Sequence, residues 1–370
     1  MATMSRYEII RKAFILRLAV ISATILSVIW VPPGISADLQ QCKQLQGKKM
    51  RWIVPNAPGG GYDTYSRLIE PYLEKTLMSE ITVENIPGAG GLVGAKTIQE
   101  ARPNGLTIGI LDGSGMLIAA LSGEKNVPNL SNDFTILNRI ARSRQVWATG
   151  ANSPLRSISD VLGEAENRLI VFGTLNVASL SFYNIAVTSH LLGLDAEIVT
   201  GYRGSKAGVL AVQRGEIEII SYSFESILRH IESGDVRPLL QISDEPISSH
   251  PVLKDIPLLG GGDGLAARRA AALGRDVQSA QLDVSTLSAI IGVGRLIVAP
   301  KGLDPSMAGC LEEALGKALA DPDLQRAAAK AKRSFDVGSA AMVQADLDRV
   351  AQRAERFSPI IKEHIYKVRN

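Results

Sequence analysis

From residue 50 onward the chain alternates short apolar runs with stretches of helical periodicity, and this restricts it to a layered α/β fold. Trp52, Ile53 and Val54 form an apolar run that Pro55 stops. Tyr65, Leu68, Ile69, Tyr72 and Leu73 then recur at the helix period, with Pro71 expected to kink the helix. Ile81, Thr82 and Val83 read as a second strand, residues 92–101 as a second helix and residues 107–111 as a third strand. Such a βαβαβ order implies parallel pairing with right-handed crossovers. The alternation restarts after about residue 148, with strands over 170–172, 197–199, 217–221 and 236–242 and helices between them. Two blocks of similar size point to two lobes with a ligand cleft between them.

Residues 260–290 break the rhythm, with Gly260, Gly261, Gly262 and Gly264 followed by an alanine-rich helical stretch, and are read as an insertion. A strand returns over 296–300, helices follow to the end, and this last part is expected to pack on the first lobe. The expected division is residues 38–147 plus about 293–370 as lobe 1, and about 148–292 as lobe 2.

Residues 1–37 are read as a secretory signal peptide: Arg6, Arg11, Lys12 and Arg17 precede an apolar run over 18–31, then Pro32-Pro33-Gly34 and a small-residue cleavage site. The run is shorter than the ~20 residues of a spanning helix. The expected location is therefore the periplasm. Beyond residue 37 the chain carries 36 basic and 36 acidic residues, so its basic character belongs to the leader. Nothing in the charge favours nucleic acid as a partner. In an oxidising compartment Cys42 and Cys310 either form a disulfide or stay as two buried thiols.

The residues that bear on chemistry are mostly loops. Gly59, Gly60 and Gly61 follow the first strand and open a helix, with Tyr62 and Asp63 next. Glycines at a helix start expose backbone N–H groups, and the helix dipole favours an anion there. Asp63 is suited to cap the helix. Gly88, Ala89, Gly90 and Gly91 repeat the arrangement one βα unit later, so two such loops would converge at one end of the sheet. Neither is a P-loop, and G-x-G-x-x-x-G is not the dinucleotide fingerprint, so no cofactor is expected. Four scattered histidines, His190, His230, His250 and His364, lack metal-ligand spacing, so no metal is expected. Ser114 sits in Gly-Ser-Gly without the G-x-S-x-G frame of a hydrolase, which leaves a secreted hydrolase as the minor alternative. In the second block, Thr174, Ser179 and Ser181 follow a strand, and Tyr202, Arg203, Gly204 and Ser205 follow the next, ready to hold the far end of an acid. Arg203 either pairs with a second carboxylate or stays solvated.

These residues carry a resemblance. The run from Val54 through Pro58-Gly59-Gly60-Gly61-Tyr62-Asp63, then Ile86-Pro87-Gly88-Ala89-Gly90-Gly91 with Gly94, then Arg102-Pro103-Asn104-Gly105, Phe172-Gly173-Thr174 and Gly201-Tyr202-Arg203-Gly204, is similar to the receptors of tripartite tricarboxylate transporters, the Bug family. The resemblance implies a type II, Venus-flytrap periplasmic binding protein, α/β, with two mixed and mainly parallel sheets. It implies a monomer that binds a small carboxylate without catalysis, for delivery to a membrane permease. The alternative of a carboxylate sensor serving a signalling partner stays open. Gly59 to Asp63 and Gly88 to Gly91 would then serve lobe 1, and Thr174, Ser179, Ser181 and Tyr202 to Ser205 lobe 2; Ser114 is placed at the pocket by its position at the end of the third strand.

Overall fold

A computed structural model describes residues 41–121, 126–177, 179–247 and 250–369. The expected export signal lies outside the described residues. The first block unfolds as β1 (Lys49–Val54), α1 (Gly61–Leu77), β2 (Glu80–Asn85), α2 (Leu92–Gln99), β3 (Thr107–Asp112) and α3 (Gly113–Leu121). A short α4 (Leu130–Asp133) leads into β4 (Phe134–Ala141) and β5 (Gln145–Gly150). The second block continues with α5 (Ile158–Ala165), β6 (Ile170–Thr174), α6 (Leu180–Leu192), β7 (Ala196–Thr200), α7 (Ser205–Arg214), β8 (Ile219–Ser223), α8 (Phe224–Glu232) and β9 (Val236–Ile242). Then come α9 (Leu265–Ala272), α10 (Val277–Val293), β10 (Arg295–Pro300), α11 (Pro305–Ala320), α12 (Pro322–Lys330), β11 (Gly338–Ser339), α13 (Ala340–Ala354) and α14 (Ser358–Arg369).

The strands form two sheets, one in the order β11-β4-β10-β3-β1-β2 and one in the order β7-β6-β8-β5-β9. This is the two-lobed α/β arrangement of a type II binding protein. Among the strands of the described residues, parallel pairing joins β2-β1-β3 and β7-β6-β8. The pairs made by β4, β5, β10 and β11 other than with these blocks, and their joints to β3 and β8, are antiparallel. The sheets are thus mixed without being mainly parallel, because the strands that cross between them enter the ladders reversed.

Each sheet is coated by helices whose apolar stripes match its face. In α1 the stripe is Tyr65, Ile69, Leu73 and Leu77, all buried, and the helix runs unbroken through Pro71. Tyr65, Ile69 and Leu73 share a core with Trp52 and Val54 of β1 and with Leu311 and Leu315 of α11. Burial on this scale is worth about 1.5–3 kcal/mol per large side chain. α6 is buried on nearly all sides, with His190 its exposed residue, as a helix enclosed between a sheet and other helices must be. It lies against β8, α9, α10 and α14. Residues 260–290 form α9 and α10, whose Ala266, Ala270, Leu287 and Ile290 join the same core as Phe182 and Ile185 of α6. The last helix does not stay with the first sheet: α14 packs on α6 and β7, and Phe357 meets the Tyr183 ring edge-on at 5.9 Å.

A disulfide joins Cys42 to Cys310, with Cα atoms 5.7 Å apart, and pins the turn Gln41–Leu45 onto α11. Among the described residues, no helix is long and apolar enough to cross a membrane.

Candidate functional site

β1 and β2 are parallel neighbours in register, Val54 opposite Asn85, so the loops that leave them start side by side. The first loop needs glycine at Gly59, where φ is +79°. Gly60 is the extended N-cap of α1 and offers no side chain to the helix. The first-turn N–H groups of α1 therefore lack the side-chain acceptor that a Ser or Asp cap would supply. Asp63 is buried and ties the loop to the helix: it accepts from Gly59 N–H behind it at 2.8 Å and from Arg67 Nε one turn ahead at 2.9 Å. It braces the loop from behind. The second loop tightens into a single turn over Ala89–Gly91, with Ala89 itself in the left-handed region at φ 46°. Such a conformation costs of order 1 kcal/mol in a residue with a Cβ. The loops are tied together by Asn85 Nδ2 donating to Asn56 O at 3.0 Å and by Pro55 packing against Gly91. The structure thus brings Gly59, Gly60, Gly61 and Gly88 to Gly91 into one place at the carboxyl end of the sheet, where ligands of such folds bind.

Ser114 is drawn out of this group. It is 0% exposed, donates to Ile291 O at 3.0 Å and accepts from Gly294 N–H at 2.9 Å. Both functions of its hydroxyl join α3 to the end of α10, so the expectation of a ligand role for Ser114 is corrected: the side chain faces the interior. Its neighbour Asp112 is half-buried and accepts from Gly115 N–H at 3.0 Å and from the Tyr62 hydroxyl. Burial pushes the Asp112 carboxyl up, against the pull of the Gly115 N–H, Arg295 and Tyr62. Burial, reinforced by Asp112, raises the Tyr62 phenol well above its ordinary value, so it remains a neutral donor.

In the second sheet, Thr174 and Ser179 bond each other through their hydroxyls at 2.9 Å, and Ser179 caps α6 by accepting from Phe182 N–H. Ser181 is buried in the first turn of α6. Tyr202 packs its ring beside Gly173, and its N–H donates to Thr174 O at 3.2 Å. Gly204 caps α7 at φ 87°, with Ser205 beginning the helix. Arg203 is exposed. The two loops sit together because β6 and β7 are parallel neighbours, Thr174 opposite Thr200.

A further group was not signalled by the sequence. At the carboxyl end of β8, Ser223 is the N-cap position of α8, and its Oγ lies 2.6 Å from Ser226 Oγ. A Cβ on Gly61 would stand 3.8 Å from Ser226 Oγ, so α8 of the second sheet abuts the first glycine loop. Arg295 completes the contact. It is 4% exposed, with its guanidinium carbon 5.3 Å from the Tyr62 ring centre and 5.2 Å from that of Tyr65. Burial works against its charge, but Tyr62, Tyr65, Glu225 and Asp112 outweigh burial and hold its pKa above the ordinary value. A charged residue opening a strand carries no local sign that it will be enclosed by aromatics from another helix. Among the described residues, no His, Cys, Asp and Glu cluster is arranged to hold a metal.

Residues 66–262 match the tripartite tricarboxylate transporter family receptor. The chain belongs to that family. Among the receptor's relatives is a protein from the tcbD–tcbE intergenic region of Pseudomonas sp. strain P51, 26% identical over 333 residues, which are 89% of this chain and 90% of the relative. Protein BugT of Bordetella pertussis is 22% identical over 311 residues, 82% of this chain and 84% of that one. Among solved structures, an R. palustris protein with adipate superposes with a TM-score of 0.67 at 17% identity, covering 85% of this receptor and 97% of that chain. At that identity the likeness shows the fold.

Proposed function

We propose that this receptor captures a small organic carboxylate in the cleft between its two sheets and hands it, as a monomer in the periplasm, to the permease of a tripartite transporter. The observation that carries the reading is the pairing of the two glycine loops at adjacent strand ends, the first of which leaves the first-turn N–H groups of α1 without a side-chain cap, a ready anion site. The relative with adipate supplies a ligand of the same class. Residues 38–144 with β10, β11, α11 and α12 make up one lobe, and residues 145–292, from β5 on, the other. Gly59 to Gly61, Tyr62 and Gly88 to Gly91 hold the carboxylate; Asp63 supports them. Thr174, Ser179, Ser181 and Tyr202 to Ser205 lie at the matching strand ends of the second lobe and contact the remainder of the ligand. The role is capture and release, not turnover.

Thermal-shift screening against mono-, di- and tricarboxylates tests this, because a ligand that binds the folded state alone raises Tm. An acid is expected to raise Tm, and Gly60→Trp is expected to abolish the shift while leaving the unliganded Tm near wild type. Failure of every organic acid to move Tm would sink the proposal.

A further inference from the structure

The guanidinium of Arg295 lies between the two sheets. Its strand β10 belongs to the first, and Tyr62 and Tyr65 of α1 flank it. Its Nη1 donates to Arg142 O at 3.3 Å, also on the first side. Its Nη2 reaches across to Ser223 Oγ of the second sheet at 3.3 Å. Both bonds are long for a charged donor, which ordinarily approaches oxygen to about 2.7–2.9 Å. The third donor, Nε, is buried and has no protein partner.

The nearby carboxylates favour its charge from a distance, but their direct partners are other groups. Arg142 pairs with Asp336 at 3.1 Å, Arg144 with Asp336 at 3.5 Å and Glu225 at 4.0 Å, and Arg139 with Asp346 at 2.8 Å. Asp112 stands opposite Arg295 in the β-ladder, but its carboxylate is taken by Gly115 N–H and the Tyr62 hydroxyl. Among the described residues, Arg295 makes no ion pair within 4.0 Å. Arg333, 6.0 Å from the Tyr65 ring centre, adds more positive charge instead of relieving it. A buried cation with a free, directed N–H is costly unless an anion meets it.

The position selects the anion. Tyr62 directly follows Gly61, and Ser226, bonded to Ser223, abuts Gly61. Arg295 is therefore one side chain removed from the first glycine loop, on the side where the second sheet closes. We propose that Arg295, with Ser223 and the start of α8, reads a second acidic group on the ligand, so that the receptor selects dicarboxylates over monocarboxylates of equal length. This rests on the carboxylate reading above, with the glycine loops holding the first acid group. When the lobes part, the Ser223 bond breaks and the guanidinium faces the cleft. When they close on a diacid, its second carboxylate takes the fork, a planar match for two parallel N–H···O bonds.

Calorimetric titration with matched pairs tests the assignment: butyrate and succinate, pentanoate and glutarate, hexanoate and adipate. In the wild type the diacid of at least one pair is expected to bind about tenfold or more tighter than its monoacid, the scale of charge-assisted hydrogen bonds. Arg295→Gln is expected to bring that ratio to about one with the monoacid Kd unchanged. Should Arg295→Gln not fold, Arg295→Lys keeps the charge but loses the fork, and is expected to weaken the diacid about fivefold and leave the monoacid alone. Equal binding of mono- and diacids by the wild type, a diacid preference that survives in Arg295→Gln, or equal losses on both members of a pair would each overturn the role of Arg295 and leave the carboxylate site standing. Binding of none of the six acids would overturn both.

Discussion

Gly94 lies directly against Pro55: a Cβ built on Gly94 would come 2.7 Å from the Pro55 Cα and 2.8 Å from Ile86 O. The residue is helical, so it is glycine for closeness and not for conformation. That contact holds α2, and with it the second glycine loop, against the end of β1.

Gly94→Leu is therefore expected to pry the two loops apart. Overpacking costs about 1–3 kcal/mol, and the loss of carboxylate affinity should exceed what the fall in Tm alone explains. Calorimetric Kd values and unliganded Tm, measured on the same preparations, separate the two effects. Wild-type affinity in a destabilised Gly94→Leu would mean that the loops need not be juxtaposed to bind.

Ser114 offers the opposite case. Its hydroxyl bridges Ile291 and Gly294, so Ser114→Ala leaves a buried N–H and a buried carbonyl short of a partner. A cost of about 1–3 kcal/mol is expected, with ligand Kd unchanged. Denaturant unfolding reads the first quantity and titration the second. A large change in Kd with stability intact would return Ser114 to the ligand site.

The acid side of the stability curve is expected to depend on Glu218. Its carboxylate accepts from Arg168 Nη1 at 2.9 Å, Arg168 Nη2 at 2.8 Å and Val171 N–H at 2.9 Å. Burial pulls its pKa up, but Arg168 and the Val171 N–H prevail and set it below the ordinary 4.5. A carboxyl with a lowered folded pKa stabilises above its unfolded value, and the gain is lost as pH falls from 4.5 through the folded value. Glu218→Gln should thus lower Tm at neutral pH and flatten the decline below pH 4.5. A variant that declines as steeply as the wild type would show that other carboxylates govern acid unfolding.

The parts legible in the sequence are those fixed by local chemistry. Glycine and proline punctuate residues 55–61 and 86–91, and both loops fell where strand and helix periods predict them. β4 and β5 were not legible. In β5 all six residues are buried, so no alternation marks a face. β4 buries Asn138 and Arg139, and the charges that accommodate Arg139 lie at Asp336 and Asp346, some 200 residues on. The same holds for Arg295, whose surroundings come from α1, β3 and β8. Ser114 read as a strand-end loop residue, but a strand-end position does not say which way a side chain points; Gly294 and Ile291 decided that.

The place of β10 between β3 and β4 has a consequence for how the chain comes together in time. The five strands of the second sheet fall within residues 145–242, an unbroken stretch that can pair as soon as it emerges. The first sheet cannot. β3 and β4 are separated in the ladder by a strand that arrives only at residue 295, and Cys42 finds its partner only at residue 310. The half of the molecule that is written first is finished last, and until then its inner strand edges stand open to any chaperone that greets the chain.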